Sequence, residues 1–354
     1  MNYKVGIIGL GRIGSLFEED PKIKKKPCTH AGSYKELGIE ITAACDIRKD
    51  RLEKFSKTFG VKNLYEDYKD MLEKEDLDIV SICTHAPDHR DICVKAAESG
   101  VKAIFCEKPM ACSLKEADEM IEVCKKNKVI LAVDHTRRWD TCFEKITEVI
   151  KEGKIGKILY MNAYSSVGLL NGTIHLFDLL RSYAGNAKWV DAKIIKDEST
   201  DPGGYGLIGF ENDVRAYVNA IWKDYIYFGA DVMGTHGFLK GTGMIRSGRS
   251  FEFSISKESE NESNIKELYP IDTEVPEWKS PISEAIKNIS NAIDKGEKIK
   301  CTGEDGRAAL EIALAFHESN NTGKRVSLPL QNRELRVIPR ETSFTKSGLL
   351  EDRK

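Results

Sequence analysis

Apolar runs alternate with amphipathic segments along the first 135 residues. Short uninterrupted apolar runs are typical of strands buried on both faces of a parallel sheet. They predict strands at Val5–Leu10, Ile39–Cys45, Leu77–Cys83, Ala103–Cys106 and Val129–Val133. The segments between them predict helices at Ile13–Glu18, Arg48–Phe59, Tyr68–Glu73, Arg90–Ser99 and Leu114–Asn127. Strands separated by such helices form right-handed βαβ units, so residues 1–135 are expected to fold as a doubly wound parallel sheet.

The pattern changes after Arg138. Helices are expected at Phe143–Glu152 and His175–Tyr183, with a strand at Ile158–Ser165 between them. Closely spaced strands follow at Lys188–Ile195, Gly206–Glu211, Val214–Trp222, Ile226–Met233 and Phe238–Gly241. Their short turns predict antiparallel pairing. Two late helices, Pro281–Asp294 and Glu304–Asn320, are expected to close this domain. Residues 136–330 therefore predict an α+β domain with a large, mainly antiparallel open sheet.

Composition narrows the functional classes. A chain of 354 residues is too long to fold around a single hydrophobic core of ordinary size, which favours two domains. A formal net charge of −2 argues against a general nucleic-acid binder, and the lack of a long apolar window argues against a membrane span. Nine cysteines without a pairing pattern indicate reduced thiols and a cytoplasmic location. No metal-ligand spacing is present, so no metal site is expected. The polar tail, 331–354, is interpreted as either disordered or wrapped on another surface.

A glycine motif follows the first strand directly. Its pattern, G-x-G-x-x-G at the start of a helix, is typical of the dinucleotide-binding turn of a Rossmann domain. The first glycine allows a tight turn, the second lets the backbone approach a pyrophosphate, and the third lets helix pack on strand. The residues expected to hold the cofactor here are Gly9, Gly11, Arg12, Ile13 and Gly14. A glycine-rich turn without a ligand is the alternative.

The second predicted strand ends at Asp46. A carboxylate in this place accepts hydrogen bonds from the adenosine ribose and repels a 2′-phosphate, which favours NAD over NADP. Ile47 and Arg48 are expected beside it. Arg48 has three interpretations: it stacks on adenine, it partly rescues NADP binding, or it begins the next helix in solvent. The number of residues between Gly14 and Asp46 is larger than usual for this motif. The segment Asp20–Thr29 accounts for the excess and is interpreted as a loop insertion.

Further motifs carry a family resemblance. Cys106-Glu107-Lys108-Pro109-Met110-Ala111 ends one strand, and Thr84-His85-Ala86-Pro87-Asp88-His89 follows another. With the glycine motif, they resemble the Gfo/Idh/MocA family, named for glucose–fructose oxidoreductase and inositol 2-dehydrogenase. The resemblance extends from Tyr3 to about Pro329. Other matching pieces are Arg137-Arg138-Trp139, Gly172-Thr173-Ile174-His175-Leu176-Phe177-Asp178 and Thr302-Gly303-Glu304-Asp305-Gly306.

The resemblance implies site residues and ligands. It implies NAD(P), mostly sugar, cyclitol or nucleotide-sugar substrates, and a second-domain sheet whose outer face commonly pairs subunits. Lys108 corresponds to the lysine near nicotinamide and substrate, and His175 to the catalytic histidine. Asn171 occupies a position where many members have an aspartate, so the usual lysine–aspartate–histidine mechanism is in question. The remaining cofactor-side residues are Thr84, His89, Glu107 and Arg138.

Alcohol oxidation needs a base for the hydroxyl proton. Histidine suits this task near neutral pH. A position at a helix N-terminus disfavours the imidazolium form of His175 and keeps the ring available. The charge of Lys108 can stabilise alkoxide character on the substrate. The alternatives are a capping or core histidine and a surface lysine. Arg138 contacts substrate or nicotinamide, or forms an exposed salt bridge, and His30 lines the cleft or caps a helix.

The residues and the resemblance together predict an NAD(H)-dependent dehydrogenase acting on a hydroxyl or keto group of a sugar, cyclitol or nucleotide sugar. NADP is the less favoured cofactor. One alternative is an NAD-dependent glycosidase or epimerase with transient oxidation, and another is a non-catalytic sugar-sensing regulator. The strands between Lys188 and Gly241 cannot bury both sheet faces with the few helices available. A homodimer or homotetramer is therefore expected.

Overall fold

The computed structural model describes residues 3–195, 199–221, 227–244, 248–258 and 265–339. These residues form two compact units. The first comprises the chain up to Thr136, Ser280–Leu310 and the described residues from Arg333 on. The second comprises Arg137–Lys279 and Glu311–Asn332.

Strands and helices follow one another along both units. The strands are β1 Val5–Ile8, β2 Ile41–Cys45, β3 Asn63–Tyr65, β4 Ile79–Ile82, β5 Ala103–Cys106, β6 Ile130–Val133, β7 Ile158–Ser165, β8 Ala187–Ile194, β9 Gly204–Phe210, β10 Arg215–Ala220, β11 Phe228–Gly234, β12 Gly237–Met244, β13 Gly248–Glu258, β14 Lys266–Ile271 and β15 Val326–Ser327. The α-helices are α1 His30–Glu36, α2 Lys49–Phe59, α3 Tyr68–Lys74, α4 Ala86–Glu98, α5 Leu114–Lys126, α6 Thr141–Lys151, α7 Ile174–Ala184, α8 Pro281–Lys295 and α9 Gly303–Thr322. Short 3₁₀ segments lie at Leu16–Glu18 and Thr136–Arg138, and a π-helical turn at Leu169–Thr173.

The first unit contains a six-stranded parallel sheet in the order β3-β2-β1-β4-β5-β6. This is the doubly wound order, in which the crevice lies where the strand order reverses, beside β1. All four residues of β1 are buried, as expected for an apolar strand covered on both faces. The predicted fold class is confirmed. The short strand β3 was not predicted, because Asn63–Tyr65 offers no apolar run.

The helix expected at Ile13–Glu18 is wrong. Residues 12–15 form a turn that leads into the 3₁₀ segment, and the α-helix begins only at His30. The N–H of His30 donates to the carbonyl of Ile13 at 3.1 Å, and that of Ala31 to the carbonyl of Gly14 at 3.0 Å. These bonds continue the helical hydrogen-bond pattern that starts at the glycine motif. Residues 16–28 are therefore an excursion inserted between two successive helical turns.

The excursion is closed by one carboxylate. Glu18 Oε2 accepts from the Thr29 hydroxyl at 2.7 Å and from the Cys28 N–H at 3.1 Å. Thr29 in turn caps α1, because its hydroxyl oxygen accepts from the Gly32 N–H at 3.0 Å. A Cβ at Gly32 would lie 2.3 Å from Glu18 Oε2, so glycine lets the carboxylate approach the helix.

The second unit contains a nine-stranded sheet in the order β14-β13-β12-β11-β7-β10-β9-β8-β15. The pair β7–β10 is parallel and the other neighbours are antiparallel. The hairpins predicted around 211–213 and 235–237 are present as β9–β10 and β11–β12. Trp222 and Ile226, at the ends of two predicted strands, lie outside the described residues. Strands β13 and β14 were not predicted, although Phe251, Phe253 and Ile255 alternate with polar residues along β13 as strand periodicity requires, so sequence reasoning missed this signal.

One face of this sheet is buried and the other is open. Along β7, Met161, Ala163 and Ser165 are buried, and α6 and α7 pack on the unit's sheet. Tyr160 and Tyr164 alternate with them and so point to the opposite face, as strand periodicity requires. The helices of the second unit therefore cover one side of its sheet.

Helix α8 packs in the first unit, whereas the sequence placed it in the second domain. The hydroxyls of Ser33 and Ser280 lie 3.4 Å apart, and Ser283 donates to Glu36 Oε2 at 2.5 Å. Helical periodicity shows that a face is apolar but does not specify which unit covers it. Among the described residues, no helix is long and apolar enough to cross a membrane.

The described part of the C-terminal tail lies along α5. Arg333 Nη2 lies 2.6 Å from Asp118 Oδ2, and Arg336 Nε lies 2.8 Å from Glu116 Oε1. Of the two interpretations of the tail, residues 331–339 fit the wrapped one. Residues 340–354 lie outside the described residues.

The excursion predicts a tolerated deletion. Removing Leu16–Cys28 places His30 four residues after Ile13, so their existing hydrogen bond becomes an ordinary helical one. We expect this variant to fold with near wild-type far-UV circular dichroism and to retain NADH binding. Removing Leu16–Thr29 places His30 only three residues after Ile13 and is the matched control, expected to lose stability and binding. Equal damage from both deletions would contradict the inserted-turn interpretation.

Candidate functional site

The glycine turn is held by close backbone contacts. Gly9 has φ +94°, and a Cβ there would lie 2.7 Å from the backbone carbon of Cys83 and 2.8 Å from the nitrogen of Thr84. A Cβ at Gly14 would lie 2.1 Å from the carbonyl oxygen of Gly9. Real Cβ contacts are never this short, so the chain's own packing requires glycine at both positions.

Gly11 differs from the other two glycines. A Cβ at Gly11 would meet only Arg51 Nη1, at 3.6 Å, an ordinary contact distance. Nothing in the described chain therefore demands glycine here, while a ligand that approaches the backbone would. Beside it, the Arg12 guanidinium lies 4.7 Å from the centre of the Phe17 ring, and Ile13 supplies the carbonyl that receives His30. The turn fits the backbone cradle of a dinucleotide pyrophosphate.

Asp46 lies next to this turn and is buried. Its Oδ2 accepts from the Leu10 N–H at 2.7 Å, and its Oδ1 accepts from the Arg48 N–H at 2.9 Å. The carboxylate therefore braces the glycine turn in addition to its predicted ribose contact. Ile47 is exposed at the same corner.

Arg48 follows one of its three interpretations. It is the residue that precedes α2, its side chain is half-exposed, and its guanidinium pairs with Asp50 at 2.6 Å. Arg51 is the guanidinium that faces the turn, 3.5 Å from Asp46 Oδ2. Sequence reasoning missed Arg51; its signal is its place one helical turn beyond the strand end that carries Asp46.

The carboxyl edge of the sheet carries a second group of predicted residues. His89 lies between two loops, with Nδ1 3.1 Å from the Pro109 carbonyl oxygen and Nε2 3.1 Å from the Thr84 carbonyl oxygen. Burial lowers the pKa of His89, so a neutral ring donates to one carbonyl at a time. The buried Thr84 hydroxyl has no hydrogen-bond partner among the described residues. An unsatisfied buried hydroxyl beside the glycine turn fits a site built for a polar ligand.

Glu107 and Lys108 form the turn after β5. The Lys108 N–H donates to Glu107 Oε2 at 3.2 Å, and Lys108 precedes a cis proline peptide. Glu107 is buried, but its hydrogen bond to His30 and the charges of Lys108 and His30 outweigh burial and lower its pKa to about 2. His30 itself is completely buried, so it neither lines a cleft nor caps α1, a role that Thr29 fills. Both expectations for His30 are wrong.

In the second unit, His175 is the second residue of α7 and is nearly buried. The π-helical turn Leu169–Thr173 runs directly into this helix, and Thr173 already has helical dihedral angles. His175 therefore does not lie at a free helix N-terminus, and the dipole argument made from the sequence is wrong in its position. Its ring meets Phe228 edge-on at 6.5 Å between centroids.

The helical segment starts beside Asn171, and Asp201 caps it. Asp201 Oδ1 accepts from the Leu170 N–H at 2.8 Å, and its Oδ2 accepts from the Asn171 N–H at 2.7 Å. A Cβ at Gly168 would lie 2.3 Å from Asp201, so that glycine admits the carboxylate. The Asp201 carboxylate thus binds the backbone of Asn171, the position at which the sequence has asparagine in place of the aspartate of many family members. Sequence reasoning missed Asp201 because it lies in a loop thirty residues away.

Arg138 is committed to a buried ion pair. Its Nε and Nη2 donate to the two carboxylate oxygens of Asp178 at 2.6 and 2.8 Å. The Asp178 side chain is fully buried and that of Arg138 is 16% exposed, so the pair is not an exposed salt bridge. The ion pair uses Nε and Nη2, and the contact of Arg138 with substrate or nicotinamide stays a prediction. Arg137 lies over the Phe228 ring at 4.5 Å, and the same ring meets His175.

The doubly wound sheet and its ligand-facing glycine turn define a dinucleotide-binding protein. The Gfo/Idh/MocA oxidoreductase family has a model for an NAD-binding Rossmann fold that matches residues 3–135. Its C-terminal alpha/beta domain model matches residues 147–328. The chain belongs to this oxidoreductase family, which confirms the resemblance, the fold class and NAD as the cofactor.

Relatives and solved structures agree with this assignment. Myo-inositol 2-dehydrogenase of Thermotoga maritima is 27% identical over 354 residues, covering 92% of this chain and 98% of the relative. The scyllo-inositol 2-dehydrogenase (NAD(+)) of Bacillus subtilis is 24% identical over 358 residues, covering 93% and 97%. Levoglucosan dehydrogenase in complex with NADH and levoglucosan superposes with a TM-score of 0.77 at 19% identity, covering 93% and 100%. The last comparison shows a shared fold.

The contrast between the glycines is testable. In Gly11→Ala we expect unfolding free energy within about 1 kcal/mol of wild type but clearly weaker NADH binding, because only the ligand needs the open backbone. In Gly14→Ala we expect a loss of about 1–3 kcal/mol from overpacking against Gly9. Urea unfolding and NADH fluorescence titration measure the two effects. Unchanged NADH affinity in Gly11→Ala would remove this turn from the cofactor site.

Proposed function

We propose that this chain is an NAD-dependent dehydrogenase that interconverts a secondary hydroxyl and a keto group on a cyclitol or sugar. The observation that carries the proposal is the glycine turn. Packing within the chain requires glycine at Gly9 and Gly14, whereas the space beside Gly11 is free for a ligand. Family membership supports the redox class, and the two inositol dehydrogenases that match nearly end to end support the substrate class. The first unit, which includes Ser280–Leu310, is the proposed cofactor domain, and the second unit is the proposed substrate domain.

The cofactor-binding residues are proposed from the edge of the parallel sheet. Gly9, Gly11, Arg12, Ile13 and Gly14 cradle the pyrophosphate, and Asp46 meets the ribose. Bound NAD supplies the acceptor for the two electrons and the hydrogen of the substrate carbon. Because the Asp46 carboxylate is buried and braced by two N–H groups, a 2′-phosphate beside it would be repelled, which favours NAD over NADP.

The substrate proton is assigned to His175. A neutral imidazole accepts the hydroxyl proton as the carbon is oxidised, and Lys108 stabilises negative charge on the oxygen. Asn171 is proposed to orient the substrate or the imidazole through its amide. Asp201 supports this arrangement, because it binds the backbone N–H of Asn171 and fixes the turn that leads into His175.

The function is tested with a defined panel. We expect net NADH formation with NAD⁺ and at least one of myo-inositol, scyllo-inositol, levoglucosan or a UDP-sugar, and slower reduction of NADP⁺. His175→Ala should lower turnover by about 100-fold or more, the scale of a lost general base, while NADH affinity stays unchanged. Lys108→Ala should lower turnover and raise the KM. Retained NAD with bond hydrolysis in place of NADH release would favour a glycosidase, and wild-type turnover in His175→Ala would exclude the histidine.

Asn171→Asp separates two roles for the asparagine. If its amide donates to substrate, the carboxylate should lower turnover, whereas an orienting role should preserve activity and shift the pH optimum. The control is Asn186→Asp, an exposed asparagine whose amide lies 3.4 Å from Glu211. A turnover loss in both variants would show a general effect of added charge.

A homo-oligomer is proposed from the open face of the second-unit sheet. Tyr160, Tyr205, Leu207 and Tyr217 are exposed on the adjacent strands β7, β9 and β10, and Tyr217 is the register partner of Leu207. An apolar patch of this kind usually marks an interface. The proposed assembly is a homodimer or homotetramer.

Light scattering at micromolar concentration should give a mass of at least two chains. Replacing Tyr217 and Leu207 by lysine should lower that mass, because two charges would enter the centre of the patch. Val275→Lys changes an exposed apolar residue outside the sheet and should leave the mass unchanged. A monomeric wild-type mass would contradict the proposal.

A cytoplasmic location is proposed from cysteine usage. All nine cysteines are buried and free. Cys93 and Cys124 lie with their sulfur atoms 3.7 Å apart without a bond. Free thiols at this density fit a reducing compartment.

A further inference from the structure

Three ionisable side chains meet in the interior of the first unit. His30 is the first residue of α1, Glu107 follows directly after β5, and Asp134 follows directly after β6. Their exposures are 0%, 6% and 1%. The backbone of Asp134 is tied to β5, since its N–H donates to the Cys106 carbonyl at 2.8 Å.

The imidazole lies between the two carboxylates. His30 Nε2 is 3.4 Å from Glu107 Oε1 and 3.5 Å from Asp134 Oδ2. Its other nitrogen, Nδ1, is 3.1 Å from the Ser81 hydroxyl, which lies 2.9 Å from the Tyr34 hydroxyl. Among the described residues, neither oxygen of Asp134 has a partner with acceptable hydrogen-bond geometry.

This arrangement poses a charge problem. A neutral imidazole carries one N–H, and a buried carboxylate without a partner is strongly unfavourable. With both nitrogens protonated, Nδ1 donates to Ser81 and the charge of the ring compensates Glu107 and part of Asp134. When Asp134 takes up a proton, the remaining excess of negative charge in the cluster is removed. The three possible ligand atoms lie within 4.8 Å of one another, and a proton on Nε2 competes with any cation bound between them.

We propose that His30, Glu107 and Asp134 form a buried proton-holding cluster that positions the Glu107–Lys108 turn, with His30 doubly protonated and Asp134 taking up a further proton on acidification. The link to the turn is direct, because Glu107 Oε2 accepts from the Lys108 N–H at 3.2 Å. His30 and Asp134 are thus positioning residues. Their relevance to catalysis rests on the proposed role of Lys108, whereas the cluster itself is testable without any substrate.

The charged and titratable neighbours support this assignment. Burial lowers the pKa of His30, but the neighbouring carboxylates of Asp134 and Glu107 and the hydrogen bond to the neutral Cys83 thiol raise it well above its usual value. Burial and the charge of Glu107 raise the pKa of Asp134 to about 6. The other groups that face the cluster are Tyr34, Cys83, Cys106 and Lys108. Burial raises the pKa of the tyrosine and of both thiols, so these stay neutral near pH 7 and only Lys108 adds charge.

The proton on Asp134 is measured through stability. A carboxyl whose pKa rises from 3.8 to about 6 on folding stabilises the fold below 3.8, and this contribution is lost as pH rises through 6. The unfolding equilibrium constant of wild type, divided by that of Asp134→Asn, should therefore rise about 50-fold between pH 4 and pH 7. Urea unfolding at each pH measures the ratio.

Controls separate this outcome from others. Asp213→Asn alters an exposed aspartate with φ 65°, where asparagine fits equally well, and should show no such pH dependence. A flat ratio for Asp134→Asn would overturn the proposal. So would one equivalent of a divalent metal in the purified protein, together with lower stability after dialysis against a chelator.

The effect on Lys108 has its own measurement. With Asp134→Asn the cluster loses one negative charge above pH 6, so the Lys108 ammonium should titrate at lower pH than in wild type. ¹³C-methylated lysine spectra, assigned with Lys108→Arg, report this titration. An unchanged Lys108 titration would leave the cluster without influence on the turn and overturn the positioning role. Absence of dehydrogenase activity would instead count against the proposed function alone.

Discussion

The close approach of the glycine turn to the end of β4 is the constraint on which the cofactor unit depends. No Cβ fits between Gly9 and the backbone of Cys83 and Thr84. This contact holds the turn at the point where the strand order reverses, and Asp46 braces it from the other side through the Leu10 N–H. The residues at the carboxyl edge of β4 and β5 are consequently fixed relative to the turn. His89 extends the same frame by connecting the loops that carry Thr84 and Pro109.

The excursion of residues 16–28 shows that the Rossmann unit tolerates an insertion within its first helix. The helix needs the hydrogen bonds from His30 and Ala31 back to Ile13 and Gly14, and the structure keeps them across the inserted residues. The loop is closed at its base by the hydrogen bond from the Thr29 hydroxyl to Glu18. As a result His30 keeps its place in the interior, where it lies between Glu107 and Asp134.

In the second unit, His175 lies near the start of α7, and the N–H groups at the beginning of this helical segment have partners. A π-helical turn extends the helix backwards from His175, and the Asp201 carboxylate satisfies the N–H groups at the true start. A carboxylate at a helix N-terminus is stabilised by the helix dipole and stabilises it in return. Negative charge is thus present beside Asn171 although that side chain itself cannot ionise.

Local chemistry in the sequence determined the elements and the ligand class. The apolar runs of β1, β4 and β5 identify buried strands, and the glycine spacing with Asp46 identifies a dinucleotide turn, because both depend on neighbours in the chain. Tertiary structure alone decided which residues meet over long separations. It packed α8 against α1 in the first unit, paired the guanidinium of Arg138 with the carboxylate of Asp178, and placed Asp201 within hydrogen-bond distance of the Asn171 N–H. It also buried His30 between two carboxylates. Periodicity states that a side chain is buried, but its partner depends on how distant elements pack, and packing is a property of the whole fold.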